Sequence, residues 1–166
     1  MNYVIEETPI CVLDFDGCLH HDEVYYRPGS GVYMREPGHH LFEWAHVLVD
    51  LLEPYPSVRI ALSTSWVRSR GFQFAKTALP CPLRERVIGA TYHTREVQKR
   101  DFDFMSRGEQ VLNYVERRNL KRWFAIDDDV AGWPTWCLHR LVQTQGHSGL
   151  SDPSAQNAVR RILEVL

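Results

Sequence analysis

The chain of 166 residues is long enough for one buried core and too short for two ordinary domains, so we expect a single domain over residues 1–166. Hydrophobic residues make up 44% of it, which is enough to build that core. The formal net charge of -2 provides no overall positive field, which excludes non-specific binding to nucleic acid or anionic lipid and leaves only a local patch for such a partner.

The cysteines, the first eight residues and the length of the apolar runs bear on the cellular compartment. The four cysteines are scattered, with no C-x-x-C pair and no Cys/His cluster at zinc spacing. Residues 1–8 contain two glutamates and no basic region, unlike a secretory leader, and the apolar runs are too short to cross a membrane. We therefore expect a cytoplasmic protein with reduced thiols and no membrane partner.

The first half of the chain alternates short apolar runs with amphipathic stretches. Ile10–Leu13 predicts a strand that is buried on both faces. Residues 17–38, rich in glycine, proline and tyrosine, predict a loop or small hairpin flap. Apolar residues at three- and four-residue steps predict a helix over 39–52, and the apolar run 58–62 predicts a second strand.

The second half continues this alternation and carries helix caps. Ser106 followed by Glu109 is a capping-box pattern, and Asp152 followed by Pro153 is a preferred helix start. Strands alternating with helices predict an α/β fold whose parallel sheet is covered on both faces. The predicted helices are 67–79, 107–120 and 153–166, the predicted strands are 87–92, 123–126 and 136–142, and the charged, aperiodic segment 91–105 has no predicted element.

Three polar clusters follow predicted strands: Asp14 with Asp16, Ser63 with Thr64, and residues 127–129. Ligands of parallel sheets bind outside the carboxyl ends of the strands. One carboxylate after a strand is also compatible with an ordinary exit to the surface, but three clusters are a stronger signal. Crowded carboxylates need a cation, and an oxygen-only ligand set suits Mg²⁺ rather than zinc. A divalent ion also neutralises phosphate oxygens.

The first cluster lies within a recognisable motif. Val12-Leu13-Asp14-Phe15-Asp16-Gly17-Cys18-Leu19 closely resembles the opening motif of the haloacid dehalogenase (HAD) superfamily, an apolar strand followed by D-x-D-G-x-[LT]. Ser63 resembles the hydroxyl motif of that family, and residues 126–128 resemble its final acidic motif. The resemblance runs from residue 10 to about 142. It implies a three-layer Rossmann-like fold with only a small flap and no large cap domain.

The resemblance assigns the chemistry of the first motif. It implies that Asp14 attacks phosphorus to form an aspartyl phosphate, and that Asp16 protonates the leaving oxygen and then activates water. If the chain leaves the strand extended, residues two apart point the same way, so both carboxylates can face one substrate. Gly17 permits a sharp turn and is also expected to contact the substrate.

The resemblance also implies a ligand set for Mg²⁺. The ion would be held by Asp14, the backbone carbonyl of Asp16, and Asp128. Asp127 or Asp129 would act through water or orient a ligand, and Asp128 is the favoured direct ligand of the triplet. No organic cofactor is expected, because no P-loop pattern occurs and the only G-x-G lacks the following glycine of a dinucleotide fingerprint.

Two more positions complete the implied site. Ser63 would donate a hydrogen bond to a phosphoryl oxygen, with Thr64 as the fallback. A basic residue at the head of the helix before the acidic strand would balance charge on the transferring group. Arg107 best fits that position, although lysine is commoner there in the family, and Lys99 and Arg100 are the competitors.

A narrower resemblance suggests the substrate. It is to the HAD branch associated with Swiss-Army-knife RNA repair proteins. With no large cap the site would be open to bulky substrates, which favours a nucleic-acid end or a nucleotide. The segments that carry this resemblance are 41–45, 62–66, 87–91, 125–129 and 149–151.

The alternative to an enzyme is a non-catalytic module that binds phosphate or RNA. A phospho-receiver domain is disfavoured because no aspartate follows the third strand.

Other side chains have both a functional and a structural interpretation. The paired histidines 20, 21, 39 and 40 are expected at the surface or on the flap rather than as metal ligands. Trp66, Trp133 and Trp136 are expected either to stack on a base or to pack in the core. The basic residues between 68 and 100 either contact a phosphate backbone or form a solvated charged face.

Overall fold

A parallel sheet of five strands forms the centre of the fold in the computed structural model, which describes residues 7–166. Its order is β5 (Val87–Ala90), β4 (Arg59–Leu62), β1 (Ile10–Leu13), β6 (Trp123–Asp127) and β7 (Leu141–Gln143). The expected flap is an antiparallel hairpin of β2 (Val24–Arg27) and β3 (Gly31–Met34). The interpretation of residues 1–8 falls largely outside the described range.

Helices cover both faces of the sheet. Strand β1 is buried on both sides: Cys11 and Leu13 pack in one core with α1 and α7, while Ile10 and Val12 pack in a second core with α6. This arrangement confirms the predicted three-layer α/β fold. The helices are α1 (Ala45–Leu52), α2 (Ser65–Arg70), α3 (Phe72–Ala78), α4 (Cys81–Arg84), α5 (Lys99–Phe104), α6 (Arg107–Arg117) and α7 (Pro153–Val165), with short 3-10 helices at Thr135–Arg140 and Gly149–Ser151.

Several predicted boundaries are wrong for local reasons. The helix predicted from residue 39 begins only at Ala45, because Phe42 has a φ of 58°, a left-handed conformation that no α-helix contains. Gly71, with a φ of 96°, breaks the helix predicted over 67–79 into α2 and α3. Most of the strand predicted over 136–142 is a 3-10 helix. The segment without a predicted element contains α5.

Two predicted helix caps are confirmed. The Ser106 backbone N–H donates to Glu109 Oε2 over 2.7 Å, which forms the capping box of α6. The Asp152 carboxylate accepts the Ser154 backbone N–H over 2.8 Å at the start of α7. Within residues 7–166, no helix has the length and apolar character needed to cross a membrane.

The cap of α7 can be tested by denaturation. Asp152→Ala should lower the free energy of unfolding by about 1 kcal/mol, because the Ser154 N–H loses its acceptor. Glu164→Ala is the matched control: this exposed carboxylate lies in the last turn, where the helix dipole disfavours negative charge. Urea titrations should show the control unchanged or slightly stabilised. Equal losses in both variants would contradict the capping role.

Candidate active site

The sheet brings the three polar clusters to one edge. Because β1 lies between β4 and β6, the residues that follow these strands are neighbours. Hydrogen bonds continue past the strand ends: the Asp14 N–H donates to the Ile126 carbonyl over 3.1 Å, and the Ser63 N–H donates to the Leu13 carbonyl over 2.8 Å. These bonds hold the backbone on either side of β1 in a fixed position.

Three carboxylates converge at this edge. Asp14, Asp127 and Asp128 each offer an oxygen, and these oxygens lie within 4.8 Å of one another. We call these three side chains the acidic group. Asp14 and Asp127 are only 3% and 1% exposed. Across residues 7–166, no other set of three histidine, cysteine or acidic side chains comes together in this way.

The acidic loop after β6 has its own hydrogen bonds. The Asp127 Oδ1 accepts the Asp129 N–H over 3.0 Å, and the Asp129 Oδ1 accepts the Ala131 N–H over 2.8 Å. The Gly108 N–H donates to the Ala131 carbonyl over 2.9 Å, which joins the loop to the start of α6. Asp129, the third member of the predicted triplet, therefore shapes the turn and lies outside the acidic group.

Gly17 makes room for the acidic group. Its φ is 73°, and a Cβ at this position would lie 2.7 Å from Asp128 Cγ, far inside van der Waals contact. A side chain at residue 17 would displace the Asp128 carboxylate. This steric conflict explains why the motif has glycine at this position. Its expected contact with a substrate stays a prediction.

Arg107 lies among the polar clusters. Its Nη2 is 3.5 Å from Asp14 Oδ2, its Nε is 3.3 Å from Asp127 Oδ2, and its Nη1 donates to the Ser63 carbonyl. The competing Lys99 and Arg100 are exposed on α5. Arg107 is therefore the basic residue that the fold brings to this edge.

The acidic group carries more negative charge than one guanidinium can balance. Burial raises the pKa of Asp14 well above its usual range; the Arg107 charge opposes this effect and the Asp127 charge adds to it. Burial likewise raises the pKa of Asp127 to about 7 and also raises the pKa of Asp128, with Arg107 opposing both shifts. Each carboxylate would keep its charge more easily beside a cation.

The pattern of unpaired atoms fits the same interpretation. Among the described residues, the buried Ser63 Oγ and Asp127 Oδ2 make no hydrogen bond, although Asp127 Oδ2 faces Arg107. Buried polar atoms without partners are rare in folded proteins. Crowded oxygen ligands with unmet charge suit Mg²⁺, and the free Ser63 hydroxyl suits an incoming anion. Thr64 is less free, because its Oγ1 accepts the Trp66 N–H at the start of α2.

The Asp16 carboxylate lies apart from the acidic group. The Phe15 carbonyl accepts the N–H groups of Cys18 and Leu19, so the chain turns here and does not stay extended. His20 Nε2 is 2.9 Å from Asp16 Oδ1, and the Trp66 indole N–H donates to the same oxygen over 3.1 Å. Two side chains that were not among the predicted site residues therefore bind Asp16.

These contacts correct one interpretation from the sequence and decide between two others. His20 was expected at the surface or on the flap, but it is fully buried. Trp66, only 5% exposed, and Trp133, buried against Trp123, agree with core packing rather than base stacking. Trp136 alone of the three tryptophans is well exposed, at 68%. The available signal for His20 was its place directly after the D-x-D-G-x-L motif, four residues from Asp16.

Four of the eight basic residues between 68 and 100 donate hydrogen bonds to other parts of the protein. Arg68 donates to Asp103 over 2.7 Å. Lys76, Arg84 and Arg86 donate to backbone carbonyls. These contacts fit neither a phosphate-binding row nor a purely solvated face, because the side chains join neighbouring segments of the chain.

Mg²⁺ binding should change the pH dependence of stability. A carboxyl group with a raised pKa binds more protons in the folded than in the unfolded state, so the metal-free protein should lose stability as pH rises from about 4 through about 7. Mg²⁺ should therefore raise the melting temperature more at about pH 7.5 than at about pH 5. Asp14→Asn should lose most of this increase, whereas Asp50→Asn, a change to an exposed carboxylate on α1, should keep it. An equal increase at both pH values would contradict the assignment.

Comparison with known proteins agrees with this geometry. The family model for the HAD domain in Swiss Army Knife RNA repair proteins matches residues 10–155, a range that includes the acidic group, Asp16, Ser63 and Arg107. Comparison with curated proteins finds no match, and comparison with solved structures finds none. The family suggests a phosphohydrolase type of function. The chain therefore belongs to the family of HAD domains in Swiss Army Knife RNA repair proteins.

Proposed function

We propose that the protein is a Mg²⁺-dependent phosphohydrolase that forms an aspartyl phosphate on Asp14 and removes a terminal phosphate from a nucleic-acid strand. The observation that carries this proposal is the convergence of Asp14, Asp127 and Asp128 beside Arg107, with the Asp16 carboxylate held separately nearby. Mg²⁺, when bound, would neutralise phosphoryl oxygens and make the phosphorus easier to attack.

Asp14 and Asp16 divide the chemistry. An Asp14 oxygen attacks phosphorus and forms the new O–P bond as the bond to the leaving oxygen breaks, while Asp16 gives its proton to that oxygen. Asp16 then takes a proton from water, and the water oxygen attacks the aspartyl phosphate to release phosphate and free Asp14. Because the Phe15 N–H donates to Asp14 Oδ1 over 2.8 Å, one nucleophile oxygen is oriented.

Ser63 and Arg107 bind the transferring group. The Ser63 hydroxyl is buried and free of other partners, so it is ready to donate to a phosphoryl oxygen. The Ser63 backbone is held at both ends, since its N–H binds the Leu13 carbonyl and its own carbonyl accepts from Arg107. Donors held in place before the reaction stabilise developing charge most effectively.

The cleft on the Asp16 side, where the leaving group would lie, supports the proposed substrate class. This cleft of about 250 Å³ lies between the flap, with Tyr25 and Tyr26, and α2, with Ser69 and Arg70. It is smaller than the pockets of roughly 300–1,000 Å³ that enclose whole drug-sized ligands, so it would hold only the end of a larger molecule. That geometry supports a strand end over a small metabolite.

Arg70 supports a polyanionic leaving group. Its guanidinium lies 3.9 Å from the centre of the Tyr26 ring, and within residues 7–166 it has no carboxylate partner. Arg70 is five residues from Ser65, roughly 7.5 Å further along α2. A cation on an aromatic ring at the mouth of the cleft is suited to the next phosphate of a strand.

The alternative is a non-catalytic module that binds phosphate or RNA on the same fold. It would keep the acidic group and Arg107 but would need no proton donor at Asp16. The hydrogen-bonded Asp16 carboxylate beside the cleft supports the enzyme.

Turnover separates the two functions. The protein with Mg²⁺ should release phosphate from p-nitrophenyl phosphate, and Asp14→Asn should reduce kcat at least about 1,000-fold, because the nucleophile is lost. Asp50→Asn should leave the rate unchanged. Phosphate release should also require the metal and stop with EDTA. No turnover of any phosphoester by a folded, Mg²⁺-binding protein would favour the binding module.

Substrate preference tests the strand-end assignment. End-phosphorylated oligonucleotides should be hydrolysed with a higher kcat/KM than nucleoside monophosphates or sugar phosphates. Arg70→Ala should raise the KM for the oligonucleotide about tenfold and leave p-nitrophenyl phosphate unaffected, because only the longer substrate reaches this cation. Arg161→Ala, an exposed arginine near the far end of α7, is the control. A preference for sugar phosphates would contradict the strand-end substrate but would still agree with phosphatase activity.

A further inference from the structure

We infer that His20 and Trp66 are positioning residues that aim the Asp16 carboxylate at the leaving group. The inference rests on the proposed function, because it assigns Asp16 the proton transfer. Asp16 Oδ1 accepts both the His20 Nε2 proton, over 2.9 Å, and the Trp66 indole proton, over 3.1 Å. The Trp66 N–H also reaches Asp16 Oδ2 over 3.4 Å, so both carboxylate oxygens face fixed donors.

The donor at His20 has a defined direction. His20 Nδ1 accepts the Phe42 backbone N–H over 3.0 Å, so Nδ1 carries no proton. The proton of the neutral ring is therefore on Nε2, which faces Asp16. The Phe42 backbone selects the tautomer that Asp16 needs, since Oδ1 accepts a hydrogen bond both when Asp16 is ionised and when the proton to be transferred is on Oδ2.

A buried aromatic cluster holds the donors in place. The Phe42 ring makes edge contacts with His20 at 4.9 Å, Phe15 at 5.2 Å and Trp66 at 5.5 Å. Phe42 also has the left-handed φ of 58° that aims its N–H at His20. A large residue persists in this conformation only where its surroundings stabilise it. The two donors to Asp16 are therefore parts of one packed unit.

Holding Asp16 has a consequence for the whole site. The charge of Asp16 lies close enough to raise the pKa of Asp14, after the larger effects of burial, Arg107 and Asp127. An unrestrained Asp16 side chain could turn towards the acidic group and act as a further metal ligand. With His20 and Trp66 bound, it instead lines the cleft between the flap and α2, on the side proposed for the leaving group.

Three variants separate positioning from packing. His20→Gln keeps a side-chain N–H long enough to reach Asp16. His20→Asn places its oxygen near the Nδ1 position, where it can still accept the Phe42 N–H, but it is too short for Asp16. Trp66→Phe keeps an aromatic ring in the cluster and removes only the indole donor.

The measurement compares two leaving groups. p-Nitrophenolate leaves with little need for a proton, whereas the sugar hydroxyl of an end-phosphorylated oligonucleotide needs one. His20→Asn should lower kcat/KM on the oligonucleotide about 30-fold and on p-nitrophenyl phosphate less than about threefold. This ratio reports the steps up to departure of the leaving group and not the later attack of water, in which Asp16 acts as base with either substrate. His20→Gln should recover most of the lost rate, and Trp66→Phe should show the same selectivity with a loss of about fivefold.

The controls keep the outcomes distinct. Circular dichroism and melting temperatures should show folded variants, and Trp66→Phe carries the test if the His20 variants do not fold. Equal losses of kcat/KM on both substrates, or equal kcat/KM values for His20→Asn and His20→Gln, would overturn the inference in favour of packing alone. A wild-type protein without turnover would overturn the proposed function itself, which is a different result from a variant that loses selectivity.

Discussion

The arrangement depends on three carboxylates that share a space within 4.8 Å, two of them buried, with one guanidinium beside them. Such crowding is unfavourable in a folded protein without a cation. Burial raises the pKa of every member, and the charges of neighbouring carboxylates add to this effect. The carboxylates stay together because Asp14 follows the central strand and its backbone is hydrogen-bonded to the neighbouring strand. The fold thus brings together charge that suits the metal and the phosphate of the proposed function.

Asp16 illustrates how the same backbone gives two nearby carboxylates different surroundings. Asp14 faces Arg107 and the other two members of the acidic group, whereas Asp16 faces two neutral donors and an open cleft. The turn stabilised by the Phe15 carbonyl, and the left-handed Gly17, separate the two side chains. The proposed roles of nucleophile and proton donor need this difference, since the first must approach phosphorus and the second the leaving oxygen.

Much of the fold and of the candidate site could be predicted because the relevant signals are local. The apolar run before Asp14, the capping box at Ser106 and the Asp152 cap are each contained within a few neighbouring residues. Helix boundaries near residue 42 and at Gly71 were wrong, because both depend on a positive φ. Of the two residues, only Gly71 is of a type that commonly adopts a positive φ, so only its conformation has a signal in the sequence.

The alternation of strands and helices and the carboxylates at strand ends can be read from the amino-acid order alone, because periodicity and strand ends are properties of neighbouring residues. Which side chains meet depends on how the chain folds in three dimensions. Trp66 is 50 residues from Asp16, and Phe42 is 22 residues from His20. No local pattern reports contacts over such separations. The burial of His20 could therefore not be predicted from its sequence neighbours, because it results from the packing of the strands, the flap and the helices.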